Sequence, residues 1–386
     1  MTLRMPAQYS CVDRRRLLGG ASLLALVGAR PAFAQNAKAA PSSRSIVIAQ
    51  PVDFSQAQQD VSKDFLIGSR AAWQDINLRG GIRGRPVQHL TLETDGSTDS
   101  VRLAMNSIRD NQACIAISGA VGDQLAAQFL SLSQQGDVKI AHSAPWLQNA
   151  GAEIDDQTFP IFAARQEQIA YALKTLSIMG LKELGAVYAT AREKISYQSE
   201  LERIADTMQL KLTSYQGSDN LRLLGQQLLP STPAVLLFVG GTPELAEFTQ
   251  GLEKQSRQRY IVALADVNLQ TMLQMGQVRN SAVIATQPVP VANSSLPVVR
   301  SYRETLTRLF DEPPTALSLA GFIAARYTYE VLDGIEGAMT RKTVLNAFQQ
   351  RATHDIGGFR VSFNSQRRSS HYVTQSMLTT DGRVIG

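Results

Sequence analysis

Short apolar runs alternate with longer segments of helical periodicity through most of this chain. The strand-like runs are residues 45–49, 87–93, 114–118 and 139–142, then 184–188, 211–215, 234–239, 260–264, 282–286 and 373–378. Most are near-continuously apolar, the mark of parallel strands covered on both faces. Between them, apolar positions recur every three to four residues in 100–109, 124–134, 166–179, 197–208, 243–255 and 317–332, which predicts helices. The pattern is that of an α/β protein with doubly wound parallel sheets. Two sets of four or five strands predict two similar lobes. The broad Ala/Phe/Tyr face of 317–332 is expected in a core.

Residues 68–95 are the most distinctive in wording. Phe65, Ala72, Trp73 and Ile76 form one helical stripe, and Gly80-Gly81 follows its last position, where a left-handed residue closes a helix. Arg83-Gly84-Arg85-Pro86 then turns the chain into a strand that ends at Glu93. Two later segments have similar character: Ile356-Gly357-Gly358-Phe359-Arg360-Val361-Ser362-Phe363-Asn364 and Thr380-Asp381-Gly382-Arg383-Val384. Together they resemble the periplasmic solute-binding proteins that include the leucine/isoleucine/valine-binding proteins, and the likeness spans nearly all of the chain beyond its first residues. It implies a type I periplasmic binding fold, with two lobes joined by three hinge crossings. By that likeness one lobe takes 45–163 and 291–365, and the other 164–290 and 366–386. Composition agrees at Thr158-Phe159-Pro160, at Gln287-Pro288-Val289-Pro290 and at 364–370, the expected crossings.

The first residues predict export. Arg14-Arg15-Arg16 precedes a short apolar run and then Ala32-Phe33-Ala34, so residues 1–34 read as a cleaved signal and 35–44 as a flexible leader. The paired arginines fit a twin-arginine signal, with Asp13 in place of its usual Ser/Thr, or an arginine-rich Sec signal. The run falls short of the roughly 20 residues that span a bilayer, so no membrane anchor is expected. Of the 38 basic residues five lie before Gln35, with one of the 33 acids, which leaves 33 bases and 32 acids afterwards. The basic charge therefore belongs to the signal, and nothing in it calls for nucleic acid or a membrane surface. Cys11 leaves with the signal. Cys114, alone in an apolar run, is expected to be buried and inert.

In doubly wound sheets, ligands sit beyond the carboxyl ends of strands. The loops at those ends offer Phe54, then Gly122, Asp123 and Gln124, then Ser143, Ala144 and Trp146, and further on Tyr197, Thr242 and Asp266. The resemblance gives two of these loops a role. Relatives run glycine, three residues, serine to hold a ligand carboxylate, and here the serine position is Asp123. Relatives read Ser-Ala-Thr at the next loop, where this chain has Ser143-Ala144-Pro145, and proline offers neither a hydroxyl nor an N–H. A ligand carboxylate about 4 Å from Asp123 costs several kcal/mol at an effective dielectric near 20. An ordinary aliphatic amino acid is therefore disfavoured, and a cationic, hydroxylated or largely apolar ligand fits better. Asp123 either accepts from such a ligand or caps the helix that follows. Trp146 either walls a pocket or packs in a core, and Tyr197 either faces the ligand or opens its helix.

Enzyme readings find no support in the residues. His89, His142, His354 and His371 show no metal-ligand spacing, and no G-x-S-x-G elbow or phosphate loop occurs. The glycines of 80–84 follow a helix and do not open one, so no nucleotide cofactor is implied. No metal or other cofactor is expected either. The chain reads as a monomeric periplasmic carrier that passes one small molecule to an inner-membrane ABC permease. A ligand sensor that signals to a membrane receptor is the alternative, and a periplasmic hydrolase a more distant one.

Overall fold

Strand β1, Ile46–Asp53, is buried at every position, as a strand flanked by strands and covered on both faces must be. In the computed structural model, which describes residues 45–386 except 137, 150, 217–219, 277–280 and 370–371, it lies between two parallel neighbours. These are β2, Val87–Thr94, and β3, Cys114–Ser118, followed by β4, Ala141–Ser143, and β5, Thr158–Phe159. The sheet order is β2-β1-β3-β4-β5. The predicted signal, its twin arginines, Cys11 and the leader lie outside the described residues, as do Ser370 in the third expected crossing and His371.

Helix α1, Gln59–Leu78, buries the predicted stripe of Phe65, Ala72, Trp73 and Ile76. It ends at Gly80 and Gly81, whose φ values are +104° and +74°. Helices α2, Thr98–Asp110, and α3, Asp123–Gln135, complete the first crossovers.

The second sheet repeats this plan. Helix α4, Arg165–Ile178, leads to β6, Glu183–Tyr188, α5, Ala191–Thr207, β7, Lys211–Gln216, α6, Leu221–Gln227, and β8, Val235–Val239. Helix α7, Thr242–Leu252, β9, Arg259–Ala263, α8, Leu269–Gln274, and β10, Ser281–Gln287, follow. Its parallel part runs β7-β6-β8-β9-β10, the same winding as the first sheet. The chain then returns to the first core with α9, Pro297–Leu309, α10, Ala316–Asp333, α11, Arg341–Gln349, and the hairpin of β11, His354–Ile356, and β12, Phe359–Val361. It closes on the second sheet with β13, Thr374–Leu378, antiparallel to β10, and β14, Val384–Ile385. Three passages between lobes result. Among the described residues no helix is long and apolar enough to cross a membrane.

The apolar face of α10 lies against α1, as its composition predicts. The approach is close because Gly68 and Gly321 let the backbones meet, and Ser69 Oγ donates to Gly321 O at 3.2 Å. Cys114 is buried, and burial pushes its thiol up to about 11.

Among the differences from expectation, three concern the site and its crossings. Strand β1 runs on through Gln50-Pro51-Val52-Asp53, past its expected end at Ala49. Pro51 needs no ladder donor there, and its carbonyl accepts from Val121 N at 3.1 Å. Helix α5 begins at Ala191, not near Tyr197, because Thr190 caps it by accepting from Glu193 N. Tyr197 therefore stands inside a helix. The two-residue β5 lies within the first expected crossing, where its length hid it.

Candidate functional site

In each sheet the winding reverses beside its first strand, and the loops at those points face each other. In the first lobe this is the segment after β1 and the β3–α3 loop. Gly122, at φ +114°, starts α3 so close to β1 that an added Cβ would sit 2.6 Å from Asp53 Cβ. In the second lobe it is the β6–α5 and β8–α7 loops, with the loop after β9 beside them.

Asp123 does not cap its own helix. It is the first helical residue, and its Oδ1 accepts from Gln148 N at 2.9 Å, which fixes the loop beyond β4. Its Oδ2 lies 3.6 Å from Arg165 Nη1. Arg165 opens α4, immediately past the first passage between lobes. Its Nε donates to Asp266 Oδ2 at 3.1 Å, its Nη2 pairs with the same oxygen, and its Nη1 donates to Tyr197 Oη. The guanidinium also lies over the Tyr197 ring, 4.8 Å from its centroid. One arginine thus joins a carboxylate of the first lobe to a carboxylate and a phenol of the second.

A further tie crosses the same cleft. Asn268 Nδ2 donates to Asp64 Oδ2 at 2.9 Å. Thr242 Oγ1 accepts from Asn268 N at 2.9 Å.

Burial governs the electrostatics. It raises the carboxyls of Asp60, Asp64 and Glu244 above the ordinary range. Burial also raises Asp123, with Arg165 opposing and Asp266 reinforcing. For Arg165 burial works against the charge, but Asp266 and Asp123 outweigh it and hold the guanidinium more firmly protonated than usual. Several buried polar atoms here have no partner: Gln58 Oε1, Asp60 Oδ2, Glu244 Oε2, Asp266 Oδ1 and Gln148 Nε2. Since buried polar groups are normally paired, this is an acceptor-rich surface suited to hydrogen-bond donors. Of these residues Gln58 lines a cavity of about 190 Å³ together with Asp123, Arg165, Arg192 and Tyr197, and Asp60 lines one of about 260 Å³ together with Asp64 and Asn268. No group of three or more His, Cys, Asp or Glu positioned for a metal occurs among the described residues.

The sequence-predicted residues divide between cleft and core. Asp123, Tyr197, Thr242 and Asp266 come together, with Gln124 exposed at the cavity edge. Phe54 is partly buried against the first core. Ser143 Oγ is hydrogen-bonded to Thr328 Oγ1 at 2.9 Å inside the first lobe. Ala144 takes the left-handed conformation at φ +49°. The Trp146 indole is 1% exposed and packs against Phe65 and Phe162, with ring centroids 5.7 and 5.4 Å away.

The residue missed from the sequence is Arg165. A signal existed: a cation in the first turn of a helix opposes the helix dipole, a placement that makes sense with acidic partners elsewhere in the chain.

Comparison with known proteins agrees with this architecture. The solved structures most like it include an extracellular ligand-binding receptor from Verminephrobacter eiseniae, at 18% identity and TM-score 0.78, covering 89% of this chain and 100% of that one. A substrate-binding periplasmic protein from Ralstonia solanacearum matches at 20% identity and TM-score 0.77, over 88% of this chain and 99% of that one. A possible leucine/isoleucine/valine-binding protein from Rhodopirellula baltica matches at 17% identity and TM-score 0.76, over 90% and 98%. Other neighbours are substrate-binding proteins of ABC transporters. At such identities these likenesses establish the fold. No curated protein matches the chain in sequence. The family model described as periplasmic binding protein matches residues 45–382, and the chain belongs to that family.

Proposed function

We propose that the protein is the solute-binding component of an ABC-type uptake system, closing two lobes over one small molecule and presenting it to an inner-membrane permease. The observation that carries this reading is the convergence of both winding-reversal points on one cleft whose buried acceptors lack partners. On this reading binding and release constitute the activity. Residues 45–163 and 291–365 form one moving body, and 164–290 with 366–386 the other. The mature protein works as a monomer in the periplasm, after export through the twin-arginine route and removal of residues 1–34.

The ligand is not an ordinary aliphatic amino acid. Its carboxylate would approach Asp123, and Pro145 supplies no donor to hold it. Losing a hydrogen bond to a charged group costs about 1.5–3 kcal/mol, a ten- to hundredfold loss of affinity. Native mass spectrometry of whatever copurifies, followed by calorimetry with that compound and with leucine, isoleucine and valine, tests the reading. A copurifying small molecule that is released unchanged supports it. Steady conversion of that molecule, or micromolar binding of leucine, contradicts it.

A further inference from the structure

We propose that Arg165 is a resident counter-cation that sets the ligand class of the cleft. Its guanidinium fills the space between Asp123 and Asp266 that a ligand ammonium would otherwise take, so the site accepts uncharged, hydroxyl-bearing molecules and rejects amines. This rests on the reading that solute binds between the lobes.

The argument is one of charge and donor count. Two carboxylates from opposite lobes face one region, and without a cation they would repel each other when the lobes close. Arg165 answers that from within the chain, with Nε and Nη2 on Asp266 Oδ2 and Nη1 between Tyr197 Oη and Asp123 Oδ2. A guanidinium has five N–H donors in a fixed fork, and here the three nitrogens are all engaged. Arg165 is therefore poorly placed to receive a ligand carboxylate as well, since any such group would meet two carboxylates already there. An entering ammonium would have to displace a cation that is tethered and pre-positioned. What remains without a hydrogen-bond partner beside this network is Asp266 Oδ1, Gln58 Oε1 and Gln148 Nε2, all buried, with Gln58 at the wall of the cavity that Arg165 also lines. Two acceptors and a donor suit hydroxyl groups, which both give and accept hydrogen bonds.

The test uses the full mature protein and small probes: putrescine and methylguanidinium as cations, erythritol as a neutral polyol. In calorimetry at matched ionic strength, the wild type should show saturable binding of erythritol and none of either cation at millimolar concentration. Arg165→Gln should bind both cations at least about tenfold more tightly than the wild type. The double variant Arg165→Gln with Asp266→Asn should lose that gain. Should Arg165→Gln not fold, Arg165→Lys keeps a resident charge and should reject putrescine as the wild type does. Putrescine binding by the wild type or by Arg165→Lys overturns the proposal, and so does a folded Arg165→Gln that binds neither cation. A wild type that ignores erythritol overturns the hydroxyl assignment. These probes report on the space beside Asp266 whether or not a solute is carried. Their failure leaves the carrier reading standing, which fails separately if no small molecule copurifies and the lobes never close.

Discussion

Asn268 donates through Nδ2 to Asp64 Oδ2 at 2.9 Å, and so ties the loop after β9 in the second lobe to α1 in the first. The tie exists while the lobes are together, so it contributes to closure and not to the folding of either lobe. A hydrogen bond to a charged group contributes about 1.5–3 kcal/mol. Asn268→Ala should therefore shift the equilibrium towards the open form and retain copurifying ligand at least tenfold less well through dialysis, as read by mass spectrometry. Equal retention would assign the contact no part in closure.

The close crossing of α1 and α10 makes a second prediction. A Cβ on Gly68 would lie 1.7 Å from Ser318 O, and one on Gly321 would lie 1.9 Å from Phe65 O. Both neighbours are backbone, so the helices would have to move apart. Gly68→Ala should cost about 3 kcal/mol or more in chemical denaturation. Gly80→Ala meets nothing within 4 Å and faces the φ of +104° alone, so it should cost about 1–2 kcal/mol. Similar losses for the two would contradict the account of this crossing.

His142 predicts a pH dependence. It is 2% exposed, neither ring nitrogen has a partner, and burial lowers its pKa to about 4. A lowered folded pKa favours the neutral ring, so its contribution is present above the unfolded value near 6.5 and is lost as pH falls towards 4. That amounts to about 3 kcal/mol at the acid end. Asp60, Asp64 and Asp123, all raised, have the opposite slope above their unfolded value and offset part of it. His142→Leu should remove the histidine part and leave a shallower loss of stability on acidification, measured by denaturation between pH 6.5 and 4. An unchanged acid limb would place the titration elsewhere.

Export supplies a fourth. Replacing Arg14, Arg15 and Arg16 by Lys should leave precursor in the cytoplasm, and normal processing should cleave after Ala34. Unimpaired export from a strain without the twin-arginine translocase would assign the signal to the Sec route.

Much of the fold is legible in the sequence because its central strands are buried on both faces. A strand such as Cys114–Ser118, buried at all five positions, announces itself as an apolar run. The start of α5 was harder to read because Ala191-Arg192-Glu193-Lys194 carries no apolar stripe, although the Thr190–Glu193 cap was there to be seen. Within the site, Asp123 and Asp266 followed from their position after strands. Arg165 did not, because its value lies in a partner 101 residues away, and a lone arginine in a first helical turn reads as a solvated charge. Trp146 shows the converse limit. Its loop suggested a pocket wall, and the contact of its backbone N with Ala120 O at 2.8 Å turns the indole into the lobe core.

Small-angle scattering of the wild-type protein, first stripped of any copurifying molecule and then saturated with it, tests the central claim most directly. A carrier that closes on its solute should show a smaller radius of gyration when saturated, and Asn268→Ala should need more ligand to reach it. An identical radius in both states, with the molecule demonstrably bound, would contradict closure of two lobes around a ligand.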